Sequence, residues 1–183
     1  MCVFRDLRAD EIDVRVSQIN KKGCILLLYK DARCDMNILD ETVGSMNWKR
    51  EHTRDNANCI VSLWDEKKQQ WISKEDTGTE SRTEKEKGLA SDSFKRACFN
   101  WGIGRELYTA PLIWIPAIDK YNKPTGNVQI EDLGDGRCGT KDRFKVEAIR
   151  IEDKTITELS IRNIKQKKIV FVYPSAPPVN RSN

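Results

Sequence analysis

The sequence is poor in histidine and has no paired cysteines, which argues against a metal centre. Its 183 residues include one histidine, His52, and six cysteines, at positions 2, 24, 34, 59, 98 and 138. No two cysteines have the CxxC spacing, whereas a zinc site needs clustered Cys and His ligands. We therefore expect no metal, and we expect reduced, half-buried thiols rather than disulfides.

Long apolar runs are also absent. The longest, at residues 24–29 and 169–173, fall far short of the roughly 20 apolar residues that cross a bilayer, and they are typical of buried strands. The N-terminus has neither the basic start nor the apolar segment of a signal peptide. These features predict an intracellular protein with no membrane partner.

Motifs for nucleotide binding and for catalysis are missing as well. Gly102 and Gly104 form a Gly-x-Gly, but a dinucleotide fingerprint follows a strand and carries a third glycine, and no GxxxxGK[ST] occurs. The carboxylates form no recognisable nuclease set, and His52 has no Ser or Cys partner in its sequence context. We expect no catalytic residue and no cofactor, with His52 at the surface or at an interface.

Basic residues only slightly outnumber acidic ones. The chain has 32 Lys and Arg against 28 Asp and Glu, a formal net charge of +4, with ten basic and five acidic residues from Lys141 onward. A nucleic-acid binder with so little net charge has to concentrate it on one face or multiply it by oligomerisation. An unspecialised solvated surface is the alternative that composition leaves open.

What the sequence does contain is one strong helical pattern, at residues 84–101. Thr83 and Glu86 fit a capping box at its start, and Gly102 and Gly104 end it. Its apolar residues recur at helical spacing and predict one buried face: Ala90, Phe94, Ala97, Cys98 and Trp101.

Alternating patterns predict strands on both sides of this helix. The predicted fold class is α+β, with antiparallel hairpins packed on the one long helix. The remaining predicted elements are a hairpin over residues 12–29, a short helix at 36–43 ending at Gly44, a strand at 48–53, a hairpin over 58–64 and 70–77, an extended segment at 112–118, and strands at 144–151, 155–162 and 168–173.

We expect a single domain at residues 1–173, with a core at about 10–115 and C-terminal strands at 143–173. The stretch at about 119–142 is rich in Gly, Asp, Asn and Lys, which predicts a long mobile loop. The tail at 174–183 has too few apolar residues to fold and is predicted to be disordered.

Two adjacent cations, Lys95 and Arg96, lie away from the apolar stripe of the long helix and flank Phe99. Cations fixed beside an exposed aromatic ring suit phosphates and bases. The alternative is a solvated helix face on which Asp92 and Arg96 form an ion pair.

Cations also follow two of the predicted strands. Lys30 and Arg33 follow the strand at 24–29, and Lys49 and Arg50 follow Trp48, so these side chains could line a groove. We expect the tryptophans of this region in the core or at a subunit interface: Trp48, Trp64 and Trp71.

The segment SDSFKRACFNWGIGRELY, at residues 91–108, closely resembles part of the Rad-fifty-two superfamily of single-strand annealing proteins, of the phage and bacterial type. ILDETVGSMNWKRE at 38–51 resembles the family's short helix, glycine and Trp strand. NCIVSLWDEKKQQWISKEDTGT at 58–79 resembles its central hairpin, and TEKEKGLASDSFKRA at 83–97 resembles its long helix. The resemblance covers about residues 10–115.

The resemblance implies a β-β-β-α core that assembles into a ring with a basic groove for the backbone of single-stranded DNA. It implies ATP-independent and metal-independent annealing of complementary strands in homologous recombination and double-strand break repair, in the cytoplasm of a bacterial host if a phage encodes the chain. The partners it implies are single-stranded DNA, further copies of the chain in a ring or filament, and a host recombinase or single-strand binding protein.

The resemblance also implies a DNA-binding site. Lys95 and Arg96 match the family's DNA-binding Lys-Arg pair, Lys87 matches a basic position one helical segment earlier, and Arg33 lies within a residue of a family arginine that contacts the strand backbone. Two neighbouring cations complete the candidate site, one near the same helix face and one just past the turn: Lys85 and Arg105.

The C-terminal strands from Phe144 depart from the family members with a recombinase-binding tail, so loading of a recombinase is not implied. Two other functions remain open, namely a metal-dependent nucleic-acid enzyme such as a nuclease, and an RNA-binding or structural oligomer.

Overall fold

A computed structural model describes residues 3–79 and 85–174, with the side chains of 85–87 left out of the description. Within these residues the chain forms two α-helices, α1 (Ala32–Val43) and α2 (Lys85–Trp101), and single 3-10 turns at Ala9–Glu11 and Arg105–Thr109. The strands are β1 (Ile12–Asn20), β2 (Gly23–Lys30), β3 (Trp48–Thr53), β4 (Asn58–Asp65), β5 (Gln70–Thr77), β6 (Ile113–Pro116), β7 (Glu131–Asp132), β8 (Cys138–Gly139), β9 (Phe144–Glu152), β10 (Thr155–Asn163) and β11 (Lys168–Tyr173).

The coarse fold class is confirmed, because the chain is α+β with mostly antiparallel sheets. Helix α1 begins earlier than predicted, since the side chain of Asp31 accepts a hydrogen bond from the backbone N–H of Arg33 at 2.6 Å and caps the helix. Gly44, with φ of +84°, ends it as expected. The predicted capping box at the start of α2 lies outside the described residues.

The chain forms two compact units that interleave along the sequence. The first unit comprises residues 3–7 and Lys30–Arg105, and the second comprises Arg8–Tyr29 and residues 106–174. Each unit combines segments that are distant from each other in the sequence. None of the described helices is long and apolar enough to cross a membrane.

In the first unit a three-stranded antiparallel sheet, in the order β3-β4-β5, packs against α2. The inward residues of β4 alternate along the strand and meet the apolar stripe of the helix, as the two periodicities require. The predicted helix stripe is confirmed at its centre, since three of its residues have no exposed surface: Phe94, Ala97 and Cys98. Cys59 and Val61 of β4 are equally buried.

In the second unit a six-stranded sheet has the order β11-β10-β9-β1-β2-β6. Val14 of β1 pairs with Phe144 of β9, and Ile25 of β2 pairs with Trp114 of β6. The hairpin at 12–29 and the C-terminal strands therefore belong to one sheet, separate from β3-β4-β5.

The segment predicted as a long loop contains a small strand pair, β7 with β8. Val128 is buried, and the carboxylate of Asp142 accepts hydrogen bonds from the backbone N–H of Gln129 and from the side chain of Asn163, at 2.8 and 2.9 Å. These contacts join residues distant in sequence, which a local pattern does not reveal. The mobility of the segment stays a prediction, and of the expected tail only Pro174 falls within the described residues.

The five described cysteines are free thiols, as expected. Four of them are buried rather than half-buried, and Cys138 is intermediate. Burial raises the pKa of Cys24 and of Cys59 to about 11, so both thiols are protonated at neutral pH.

Candidate nucleic-acid interface

The two central candidates, Lys95 and Arg96, lie on the outer side of α2. Their neighbours Phe94 and Ala97 face the sheet with no exposed surface, so helical geometry turns the two cations outward. The side chain of Lys95 is 22% exposed and that of Arg96 is 41% exposed. The predicted orientation of the pair is therefore confirmed, although Lys95 is half-buried.

The carboxylate of Asp31 pairs with Arg33 and also feels the positive charge of Lys95. Hydrogen bonds from the side chain and backbone of Arg33 lower the pKa of Asp31, and the charges of Arg33 and Lys95 lower it further. Arg33 lies 3.0 Å from the Asp31 carboxylate and is 82% exposed. Since Asp31 caps α1, the start of that helix fixes Arg33 at this carboxylate.

Arg96 has an acidic partner other than the one considered from the sequence. Its Nε lies 3.4 Å from the Asp76 carboxylate on β5, at ion-pair distance without hydrogen-bond geometry. Asp92 instead accepts hydrogen bonds from the backbone N–H and hydroxyl of Thr79 and pairs with Lys95 at 3.8 Å. The Asp92–Arg96 alternative was wrong because Thr79 and Lys95 occupy Asp92.

Arg105 caps the C-terminal end of α2. Its Nε donates to the carbonyl oxygen of Phe99 at 2.6 Å, and its Nη2 donates to that of Asn100 at 2.8 Å. The last carbonyls of a helix lack partners within the helix and carry its negative dipole end, so a cation is favourable there.

Lys74 is a further cation at this site, and it was not among the candidates predicted from the sequence. Its Nζ donates to the carbonyl oxygen of Asn100 at 2.7 Å and lies 4.5 Å from the centre of the Trp101 ring. The alternation of β5 could have identified it, because side chains two residues apart in a strand share a face, which places Lys74 on the same side as Ile72 and Asp76.

Lys30 does not line a groove, which corrects the expectation from its position after an apolar strand. It is 3% exposed, forms a buried ion pair with Asp35 of α1, and lies 4.4 Å from the centre of the Phe99 ring. Phe99 is consequently half-buried rather than freely exposed. Burial raises the pKa of Asp35 from 3.8 to about 6, although the charge of Lys30 opposes this rise.

Gly104 is required next to this ion pair. Its φ is +75°, and a Cβ there would collide with the aliphatic part of the Lys30 side chain. The Gly-x-Gly after α2 thus makes the turn that was predicted and leaves room for Lys30.

The aromatic residues of β3, β4 and β5 divide between the two faces of the sheet. Trp48 stacks on Phe94 with ring centres 6.1 Å apart, and Arg50 lies 4.8 Å from the Phe94 ring. Trp64 and Trp71 pair across the other face at 5.5 Å, with Trp71 39% exposed.

The structure does not test two of the candidates, because the side chains of Lys85 and Lys87 lie outside the described residues.

His52 is half-buried, with Nδ1 3.5 Å from the hydroxyl of Ser93, and burial followed by the charge of Arg50 lowers its pKa. In the described part of the chain, no three metal-ligating side chains are close enough to hold an ion.

Among the described side chains, α2 and its neighbours carry five cations against three carboxylates, and we call this group the α2 cationic surface. The Arg33–Asp31 pair is exposed, and an exposed ion pair contributes only about 0–1 kcal/mol, so an incoming phosphate can replace Asp31 at small cost. The pairs of Lys95 with Asp92 and of Arg96 with Asp76 are half-buried. This excess of cations is the kind of charge distribution that suits a polyanion. The cations of this surface are Arg33, Lys74, Lys95, Arg96 and Arg105, and its carboxylates are Asp31, Asp76 and Asp92.

Comparison of the chain with protein-family models, with curated proteins and with solved structures finds no match.

Proposed function

We propose that this chain binds single-stranded DNA and anneals complementary strands without ATP. The observation that carries the proposal is the pair Lys95 and Arg96 on the outer side of α2, within the segment whose sequence resembles the annealing family. The run of β3, β4, β5 and α2 is compatible with the β-β-β-α core that the resemblance implies.

The small charge excess of the α2 cationic surface supports an assembly of several copies. A surface with two uncompensated cations holds few phosphates by itself, but a ring or filament repeats it along one strand, and linked sites reinforce each other. We propose further copies of the chain as its first partner, and a host recombinase or single-strand binding protein as a second. Homologous recombination is the process in which such annealing is used.

The test of the site is the double variant Lys95→Ala with Arg96→Ala, assayed for binding to a labelled oligothymidylate over a salt series. If the two cations contact phosphates, the slope of log affinity against log salt falls by about 1.4, since each phosphate on a single strand contributes about 0.7. Affinity should fall about tenfold at moderate salt.

The matched control is Lys67→Ala with Lys68→Ala in the β4–β5 turn, which removes the same charge from exposed positions. This control should keep the slope of the unmodified chain. An unchanged slope in the Lys95 and Arg96 variant would overturn the site assignment.

A further inference from the structure

We propose that the second unit contains a separate binding site for single-stranded DNA, at an open cleft at one end of its six-stranded sheet. This site shares no residue with the α2 cationic surface and goes beyond the function proposed above. It rests on three observations: an open apolar cleft, the convergence of three loops around it, and a group of lysines without acidic partners.

The cleft has a volume of about 460 Å³, within the range of about 300–1,000 Å³ that is usual for ligand pockets. Its apolar walls suit the face of an unstacked base, and its polar rim can reach a base edge or a phosphate. A base in a duplex is stacked and cannot enter such a cleft, so the geometry favours a single strand. The walls are Ile118, Pro124, Val128 and Ile130, and the rim includes Lys21 and Gln166.

Three loops meet at this cleft and are joined by hydrogen bonds. The turn between β1 and β2 is joined to the segment after β6, where the backbone N–H of Ala117 donates to the carbonyl oxygen of Lys22 at 2.8 Å. The turn before β11 is joined to the same segment, where Lys168 Nζ donates to the carbonyl oxygen of Thr125 at 3.2 Å. Each loop contributes a residue to the lining of the cleft, and these residues are Lys21, Pro124 and Gln166. Lysines stand next to them in the sequence, at positions 22, 123, 165 and 167.

Four exposed lysines that are adjacent in sequence to lining residues have no ion-pair partner among the described residues: Lys22, Lys123, Lys165 and Lys167. This distinguishes the cleft from the α2 cationic surface, where Arg33, Lys95 and Arg96 each have a carboxylate partner. Like charges gathered without counterions repel each other, and phosphates relieve that repulsion on binding.

The acidic groups near the cleft are occupied. Asp119 accepts hydrogen bonds from the backbone N–H groups of Tyr121 and Lys123, at 2.8 and 2.9 Å. Asp132 pairs with Lys21 at 3.5 Å, and both side chains are exposed. Asp142 is 7% exposed and is held by its hydrogen bonds, so positive charge prevails at the rim.

Tyr121 adds an aromatic ring in the loop between Ile118 and Pro124, two residues that line the cleft. It is 69% exposed, and the ammonium of Lys120 lies 4.9 Å from the ring centre. An exposed ring next to cations is the arrangement on which bases of a single strand stack. Cleft, cations and ring together identify the ligand as a nucleic acid rather than a free phosphate.

The test is the charge reversal Lys165→Glu with Lys167→Glu in the full chain, assayed with a labelled oligothymidylate over a salt series. Affinity should fall about tenfold or more, and the salt slope should fall by about 1.4 for two lost phosphate contacts. Lys67→Glu with Lys68→Glu makes the same charge change in a turn of the first unit and should leave the slope unchanged. Lys165→Arg with Lys167→Arg should bind like the unmodified chain.

The outcomes separate this proposal from the preceding one. If the Lys165 and Lys167 reversal binds normally while Lys95→Ala with Arg96→Ala loses affinity, the cleft is not a DNA site and the α2 assignment stands. If the Lys165 and Lys167 reversal loses affinity while Lys95→Ala with Arg96→Ala binds normally, the cleft is supported as a DNA site and the α2 assignment is overturned. If the Lys165 and Lys167 reversal and its Lys67 and Lys68 control lose the same affinity, the loss is due to net charge alone, and the cleft is not a DNA site. Tighter binding of an oligouridylate at the cleft would overturn DNA as its occupant.

Discussion

At the scale of single residues, the buried ion pair between Lys30 and Asp35 is the largest departure from the sequence-based expectation. Lys30 ends an apolar strand, and nothing in its local sequence shows that a carboxylate five residues later turns back to meet it. Both side chains are almost fully buried, at 1% and 0% exposure. A buried charge is tolerated when it is paired, and its removal leaves the partner without compensation.

We predict that Lys30→Met destabilises the fold by about 3–5 kcal/mol at neutral pH, because it leaves the carboxylate of Asp35 buried and unpaired. The measurement is the free energy of unfolding in denaturant as a function of pH. The pKa of Asp35 is raised to about 6 in the folded chain from an ordinary 3.8. Between these values the folded state holds the proton more tightly than the unfolded state, so stability falls as pH rises, and it levels off above pH 6.

Lys30 lowers the pKa of Asp35, so in the Lys30→Met variant the fall in stability should continue above pH 6. The control Lys30→Met with Asp35→Leu has neither charge and should lack this pH dependence. Identical pH curves for the single variant and the unmodified chain would contradict the role of the pair.

The same scale shows what local patterns predict about the site. Helical spacing was enough to turn Lys95 and Arg96 outward. The partner of Arg96 was not predictable, because Asp76 lies on β5, which only the tertiary fold brings to α2. Arg105 was read as a phosphate ligand, and its contacts with the last carbonyls of α2 could not be seen in the sequence.

At the scale of elements, the packing of α2 against β5 depends on one glycine at the end of that strand. A Cβ at Gly78 would lie 2.5 Å from the backbone nitrogen of Ser93 and 2.9 Å from the carbonyl oxygen of Leu89. These are backbone atoms of α2, so they cannot move aside as a side chain can. Gly78 is itself held by a hydrogen bond from its N–H to the carbonyl oxygen of Ala57 at 2.8 Å.

We therefore predict that Gly78→Ala lowers the free energy of unfolding by about 1–3 kcal/mol, the usual cost of overpacking. The measurement is denaturant unfolding of the full chain. Because the added methyl group pushes α2 away from β5, binding of single-stranded DNA by the α2 cationic surface should weaken as well. If the Gly78→Ala variant is as stable as the unmodified chain, Gly78 does not lie as close to the backbone of α2 as these distances indicate.

The bounds of helices and strands were easier to predict from the sequence than the way these elements pair and pack. Strands β3 and β5 have the bounds that alternation indicated, because their residues alternate between a helix-facing side and a solvent-facing side. The start of α1 was missed, since Asp31 supplies the cap and the apolar pattern begins later. The division into two sheets was not predictable, because it depends on pairs such as Val14 with Phe144, which are distant in sequence.

At the scale of the whole molecule, a chain with a net charge of +4 places cations on the α2 cationic surface of the first unit and around the cleft of the second. Composition alone gave no reason to expect either concentration of charge. The proposed assembly would repeat both surfaces in every copy, and binding should then weaken steeply with salt.

The central claim is annealing, and the most direct measurement is the rate at which two labelled complementary strands pair in the presence of the chain, with EDTA and without any nucleotide. We predict faster pairing than in buffer alone, no pairing of non-complementary strands, and strands of unchanged length. Pairing no faster than in buffer would contradict the proposal, as would shortening of the strands once Mg²⁺ or Mn²⁺ is added, which would favour a nuclease.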